Sequence, residues 1–129
     1  MTVELKMLAW SVLLGLVYVF VAAGLATAQR GLQWNAGNRD GEVKPLTGAA
    51  ARADRASRNF LETFVFFAAA ALAVVIAGQN TPHTALGAQV YFWARVAYLP
   101  VYIIGIPYVR TLIWITALWG FLQVLEALL

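Results

Sequence analysis

Cysteine is absent from the 129 residues, histidine occurs once, and charged side chains make up only 12% of the chain. The missing cysteine excludes disulfides, thiolate metal sites and a nucleophilic thiol carried by the protein itself; it leaves the redox compartment open. His83, the one histidine, stands in the short polar stretch Gly78-Gln79-Asn80-Thr81-Pro82-His83-Thr84. A metal ion needs several ligands at once and this stretch offers no others, so His83 reads as an ordinary loop residue and no metal site is expected. The shortage of charge excludes more. A soluble domain carries roughly 25% charged residues because its surface must be solvated. With 62% hydrophobic residues and a mean hydropathy of +0.74, the chain lacks that polar surface. One small domain whose solvent is mostly lipid fits the length. A net charge of +3 and a pI of about 9.6 have the sign that nucleic acid attracts. The basic residues lie between apolar runs, in the manner of membrane topology signals, so no nucleic-acid partner is expected.

What is present is long and apolar. The sequence is uncharged from Met7 to Gln29, enough to cross about 30 Å of hydrocarbon, and a first helix is expected over about 5–28. Ala26-Thr27-Ala28 imitates a signal-peptidase site. The run is longer than the roughly 7–15 residues of a signal core and no net positive charge precedes it, so the helix is read as retained. A second uncharged stretch, residues 63–94, is divided by the turn-forming Gly78 to Pro82. It yields a second helix over about 47–77, with Thr47 as its N-cap, and a third over about 84–105. Gly105-Ile106-Pro107 closes the third, because proline disfavours helical geometry in the residue before it. A fourth helix follows over about 109–128. The Ala68 to Ala73 tract suits close helix packing in lipid. The expected fold is therefore an all-α, single-domain bundle of four transmembrane helices, with one sizeable loop over about 29–46.

Orientation follows from the cations. Arg30, Arg39, Lys44, Arg52, Arg55 and Arg58 flank the first connection and Arg110 the third, whereas the second connection has no Lys or Arg. The positive-inside rule places the 29–46 loop in the cytoplasm and both termini outside.

The polar residues that enter the spans are few and patterned. Arg55, Arg58, Asn59 and Glu62 stand at i, i+3, i+4 and i+7, so they share one face of the second helix. Charge near hydrocarbon is costly, so these groups face protein or a partner charge rather than lipid. Arginines at a helix end also serve as topology determinants and phosphate anchors, and a carboxylate one turn further in can be a purely structural ion-pair partner. Asn59 weighs against the anchor reading, because anchoring needs no amide. On the third helix, Tyr91, Arg95, Tyr98 and Tyr102 form one polar-aromatic stripe. Arg95 is ten residues from Gly105, too deep to reach water, and Glu62 is the only carboxylate of the last three spans away from a terminus. A structural Arg95–Glu62 pair is expected. Arg110 opens the fourth helix, with Thr111 beside it and Trp114 one turn on. Arg55, Arg58 and Arg110 lie on one side of the membrane, where they suit a small anionic ligand with carboxylates.

These residues carry a resemblance. Arg55-Ala56-x-Arg58-Asn59-x-x-Glu62, Ala94-Arg95-Val96-Ala97-Tyr98 with Tyr102, and Arg110 opening the last span resemble the membrane-associated proteins in eicosanoid and glutathione metabolism, the MAPEG family, in its bacterial type. The helix-2 stretch is the specific part; length and span number support it. The resemblance implies a homotrimer in the bacterial inner membrane, with glutathione as cosubstrate held between neighbouring subunits near the cytosolic face. It implies glutathione contacts for Arg30, Arg55, Arg58, Asn59, Glu62, Tyr98, Tyr102 and Trp114. It implies thiolate stabilisation by Arg110, with Thr111 as a hydroxyl beside it. The partners so implied are the chain itself, membrane lipid and a lipophilic small molecule. One departure is Trp114, where several conjugating or isomerising relatives carry tyrosine; an indole N–H donates but has no titratable hydroxyl. The implied activity is glutathione-dependent transfer to lipophilic electrophiles or reduction of lipid hydroperoxides. A non-catalytic lipid- or glutathione-binding scaffold of the same fold, and a small transporter subunit, are the alternatives.

Overall fold

Thr2 starts the first helix by accepting the Leu5 amide on its side-chain oxygen at 3.2 Å, a conventional N-cap. In the computed structural model, which describes residues 1–129, α1 (Val3–Arg30) runs from there to Gly31. α2 (Leu32–Ala36) is a short helix inside the long connection, followed by α3 (Gly48–Ile76), α4 (Pro82–Ile104) and α5 (Pro107–Glu126). There is no strand.

The turn at 78–82 differs in one respect from the sequence reading. Thr81 and Thr84 form a reciprocal capping box and Pro82 occupies the first helical turn, where its missing N–H costs nothing. α4 therefore starts early enough to include His83, which bonds Gln123 of α5 instead of lying in a loop. At the other end Gly105 takes a left-handed conformation (φ 92°, ψ 38°) as C-cap, and Pro107 starts α5 directly.

The bundle is layered by contact. α1 lies against α3 and α4, and α5 lies against α4 and α3. The buried face of α1 is Glu4, Leu8, Ser11, Gly15, Tyr18 and Ala22, a repeat of alternating four- and three-residue steps. That spacing is the seam of a left-handed helix pair. Gly15 is small because Phe60 of α3 fills the space: a Cβ there would stand 2.9 Å from the Phe60 ring. α4 and α5 cross with backbones in contact, since a Cβ on Gly120 would lie 2.6 Å from the Gly87 carbonyl. Small residues at the crossing are what helices use to approach in lipid, where dispersion replaces the hydrophobic drive.

Three helices, α1, α3 and α5, are long and apolar enough to cross a membrane. Their outward faces carry exposed apolar residues such as Trp10, Phe20, Val65, Phe66, Leu112 and Trp119, as a lipid-facing surface would. α4 has 23 residues but is less apolar, because its inner face holds Arg95 among Tyr91 and Tyr98, all three buried. α3, at 29 residues, is about 43 Å long at 1.5 Å per residue, so it extends beyond a 30 Å core.

Candidate functional site

α3 and α5 begin, and α4 ends, at the end of the bundle where the 31–47 connection lies. Arg52, on the second turn of α3, donates from Nε to the Ile103 carbonyl at 2.7 Å. That carbonyl belongs to the last turn of α4, which has no intrahelical donor to accept, so the contact holds the two helix ends together. One turn on, Arg55 donates from Nε to the Tyr102 hydroxyl at 3.2 Å. The Arg110 guanidinium lies 4.6 Å from the centroid of the same tyrosine ring, and that of Arg55 5.9 Å from it. Tyr102 thus spaces two guanidiniums that would otherwise repel, offering its π-electrons and its oxygen to them.

The resulting cleft, of about 230 Å³, is walled by Arg52, Arg55, Tyr102, Ile106 and Arg110. A second cleft of about 210 Å³ adjoins it at Arg110 and is walled by Asn59, Tyr98, Arg110, Thr111 and Trp114. Neither contains a carboxylate. Three cations converging on a space without an internal counterion give it a positive potential that is complementary to an anion. The Thr111 hydroxyl bonds back to the Pro107 carbonyl at 3.3 Å, which fixes its position on the first turn of α5.

Of the residues singled out from the sequence, Arg55, Asn59, Tyr98, Tyr102, Arg110, Thr111 and Trp114 come together in these two adjoining clefts. Arg58 and Glu62 do not. They are exposed on the outer face of α3, Arg58 paired with Asp54 at 3.1 Å. Arg30 is elsewhere too: its Nε donates to the Lys44 carbonyl at 2.8 Å, and it lines a separate hollow with Trp34, Arg39, Asp54 and Ser57.

The expected Arg95–Glu62 ion pair does not form within the chain. Arg95 is 1% exposed and donates from Nη1 to the Asn59 side-chain oxygen at 3.0 Å. Asn59 and Glu62 are three residues apart, so they sit 60° apart around α3; the rotation of that helix turns the amide toward α4 and the carboxylate outward. Aromatic rings do the rest. The Arg95 guanidinium lies 4.4 Å from the Tyr98 ring centroid, 5.1 Å from Phe60 and 5.7 Å from Tyr18.

Two contributors escaped the sequence reading. Arg52 was one cation among several around the connection, and nothing in its spacing names a carbonyl 51 residues away. Tyr18, in an apolar run, donates its hydroxyl to the Arg95 carbonyl. Its signal was the seam it shares with Glu4, Ser11 and Gly15, a polar thread along one face of α1. At the far end of that thread Glu4, 2% exposed, accepts from the Thr84 hydroxyl at 3.0 Å.

A family model, described as the MAPEG family, matches residues 7–126, nearly the whole chain. The chain is a MAPEG protein. Comparison with curated proteins and with solved structures returned no match. Membership makes this an integral membrane protein related to glutathione and eicosanoid metabolism, in agreement with its three membrane-length apolar helices. In this MAPEG protein the polar residues that carried the resemblance divide in three. One set lines the Arg110 clefts, Arg58 and Glu62 face outward from α3, and Arg95 is buried between α3 and α4 on Asn59.

Proposed function

We propose that this protein is a glutathione-dependent membrane transferase or peroxidase acting on lipophilic electrophiles or lipid hydroperoxides. The observation that carries the reading is the cleft in which Arg52, Arg55 and Arg110 converge around Tyr102 with no acidic neighbour. Glutathione supplies a thiol nucleophile and two carboxylates. Arg52 and Arg55 take carboxylates through charge-assisted hydrogen bonds. Arg110 lies where the two clefts meet and lowers the thiol pKa from about 8.5, which populates the thiolate at neutral pH. Thr111 offers a hydroxyl beside it, and Trp114 supplies an apolar wall toward the membrane side.

The same reading has α4 crossing the bilayer inside the bundle as a fourth span. Both termini lie outside and the 31–47 connection in the cytoplasm of a bacterial inner membrane. It also has the chain assembling as a homotrimer. Support for assembly comes from α3: Arg58 and Glu62 are exposed on a face otherwise made of Leu61, Val65 and Phe66, where lipid is a poor neighbour for charge. A neighbouring subunit against that face solvates both charges, and it brings a carboxylate for the ammonium group of a ligand shared between subunits.

Trp114 favours one second reading, a non-catalytic scaffold that binds glutathione or lipid, because the indole lacks a titratable hydroxyl. Purified protein in detergent separates the two. Glutathione binding followed by turnover of an aryl halide or a lipid hydroperoxide is the expected result. Binding without turnover selects the scaffold, and no binding overturns both.

A further inference from the structure

Three donor atoms deep in the bundle have no partner within the chain. Arg95, 1% exposed, spends Nη1 on the neutral Asn59 oxygen, while its Nε and Nη2 are buried without a hydrogen bond. The Tyr91 hydroxyl is the third, also buried and unpaired. No carboxylate balances the guanidinium, since the one ion pair in the structure joins Arg58 to Asp54. The rings of Tyr18, Phe60 and Tyr98 face it, yet none accepts a conventional hydrogen bond from those two nitrogens. A buried cation with unmet donors calls for an anion.

Arg95 and Tyr91 stand four residues apart on α4, so their side chains lie one turn apart on the same face. Both line a cavity of about 70 Å³ between α3, α4 and α5. Thr63, also on its wall, has its hydroxyl committed to the Asn59 carbonyl at 3.2 Å. Ala117, Leu118 and Phe121 of α5 make the opposite side apolar. Trp114 separates the cavity from the Arg110 cleft, which it also lines, so the charge beyond that wall is a second cation.

Size and chemistry narrow the choice of anion. A single water needs roughly 10–15 Å³ of such space, so the cavity admits a small ion with a water or two and is far too small for a tripeptide. A carboxylate brings two oxygens with about four lone-pair sites, more than these three donors serve among apolar walls. A halide is spherical and weakly hydrated. It accepts from any direction, and it tolerates hydrocarbon on its remaining sides.

We propose that this cavity is a binding site for one halide ion, chloride in the cell, held by Nε and Nη2 of Arg95 and by the Tyr91 hydroxyl. The ion neutralises Arg95 where three helices meet, which the Asn59 amide leaves undone. Every donor belongs to α4 of one chain, so the site takes nothing from a neighbouring subunit and nothing from glutathione.

The test is thermal unfolding of the purified protein in neutral-lipid nanodiscs, without glutathione, as sodium chloride replaces sodium gluconate at constant ionic strength. Gluconate is too large for the cavity. A ligand that binds only the folded state raises the unfolding temperature as its concentration passes its Kd. A saturable rise is expected with chloride and again with bromide. In crystals soaked with bromide, an anomalous peak should stand against Arg95 and Tyr91. Arg95→Met should abolish the response. Tyr91→Phe keeps the stacking of this ring on Phe67 and removes only the hydroxyl; it should weaken chloride about tenfold, the worth of one hydrogen bond to a charged group. It is the deciding variant where Arg95→Met fails to fold. Arg55→Ala, in the other cleft, should leave the response in place. Unfolding that does not depend on chloride overturns the proposal, because water then suffices. A response lost in Arg55→Ala and kept in Tyr91→Phe overturns it by moving the anion to the Arg110 cleft. A response that appears only in Glu62→Gln overturns it by showing that a neighbour's carboxylate is the counterion. No readout uses glutathione, so failure here leaves the transferase reading untouched, and the reverse holds.

Discussion

Arg95 of α4 and Asn59 of α3 are joined by a 3.0 Å hydrogen bond from guanidinium to amide oxygen, at the depth where three aromatic rings surround the charge. A neutral acceptor in this position holds α3 to α4 without neutralising the cation. Replacing Asn59 by Ala is expected to destabilise the protein by about 1–3 kcal/mol, through the donor left unmet. A double-mutant cycle by thermal unfolding in detergent should show coupling between Asn59→Ala and Arg95→Met, with less lost in the pair than in the sum. The cycle between Glu62→Ala and Arg95→Met should be additive in the monomer. Strong coupling there would restore the ion pair expected from the sequence.

Arg110 and Arg55 touch the same tyrosine ring but have different expected effects. Only a cation near the sulfur alters its pKa substantially, whereas cations further along a ligand change affinity. The glutathione complex should show thiolate absorbance in the ultraviolet near neutral pH, and Arg110→Ala should abolish it while sparing much of the affinity. Arg55→Ala should weaken binding by roughly tenfold or more, the worth of one charge-assisted hydrogen bond, and leave the absorbance of the bound fraction in place. Affinity without thiolate in the wild type would point to the scaffold.

The helix crossing at Gly87 and Gly120 should not tolerate a methyl group. A Cβ at 120 would lie 2.6 Å from the Gly87 carbonyl and 2.7 Å from the Tyr91 amide nitrogen, both backbone atoms that cannot rotate away. Gly120→Ala is expected to cost about 1–3 kcal/mol, as overpacking does, and to lower the unfolding temperature. Gly24→Ala is the control. Nothing lies within 4 Å of a Cβ there, so the substitution should be neutral or stabilising by up to about 1 kcal/mol through helix propensity.

Because the chain has no cysteine, single substitutions report topology cleanly. A cysteine at Asn38 should react with an impermeant maleimide only after the cytoplasmic face is opened, and one at Leu129 should react in intact cells. The opposite pattern would move the Arg110 cleft to the outer side together with the loop.

Sequence alone determined the chemistry of each helix face. The uncharged runs, the cations at their ends and the glycines and prolines between them state where helices lie in lipid and where they stop. The spacing of Arg55, Asn59 and Glu62 puts them on one side of α3, and the family motif is written in the same residues. Tertiary structure decided which of these neighbours meets which. Periodicity leaves free the rotation of a helix about its axis and its offset along a partner, and both are set by packing. Phe60 seats against Gly15, and Gly87 crosses Gly120. With α3 held by that fit, Asn59 rather than Glu62 reaches Arg95, Arg52 finds the Ile103 carbonyl, and Tyr102 comes between Arg55 and Arg110. The hydrogen bonds among these contacts join residues 36 to 51 positions apart, across helices whose mutual registry depends on shape. A one-dimensional pattern carries the composition of a face, whereas close packing of opposed surfaces selects the partner.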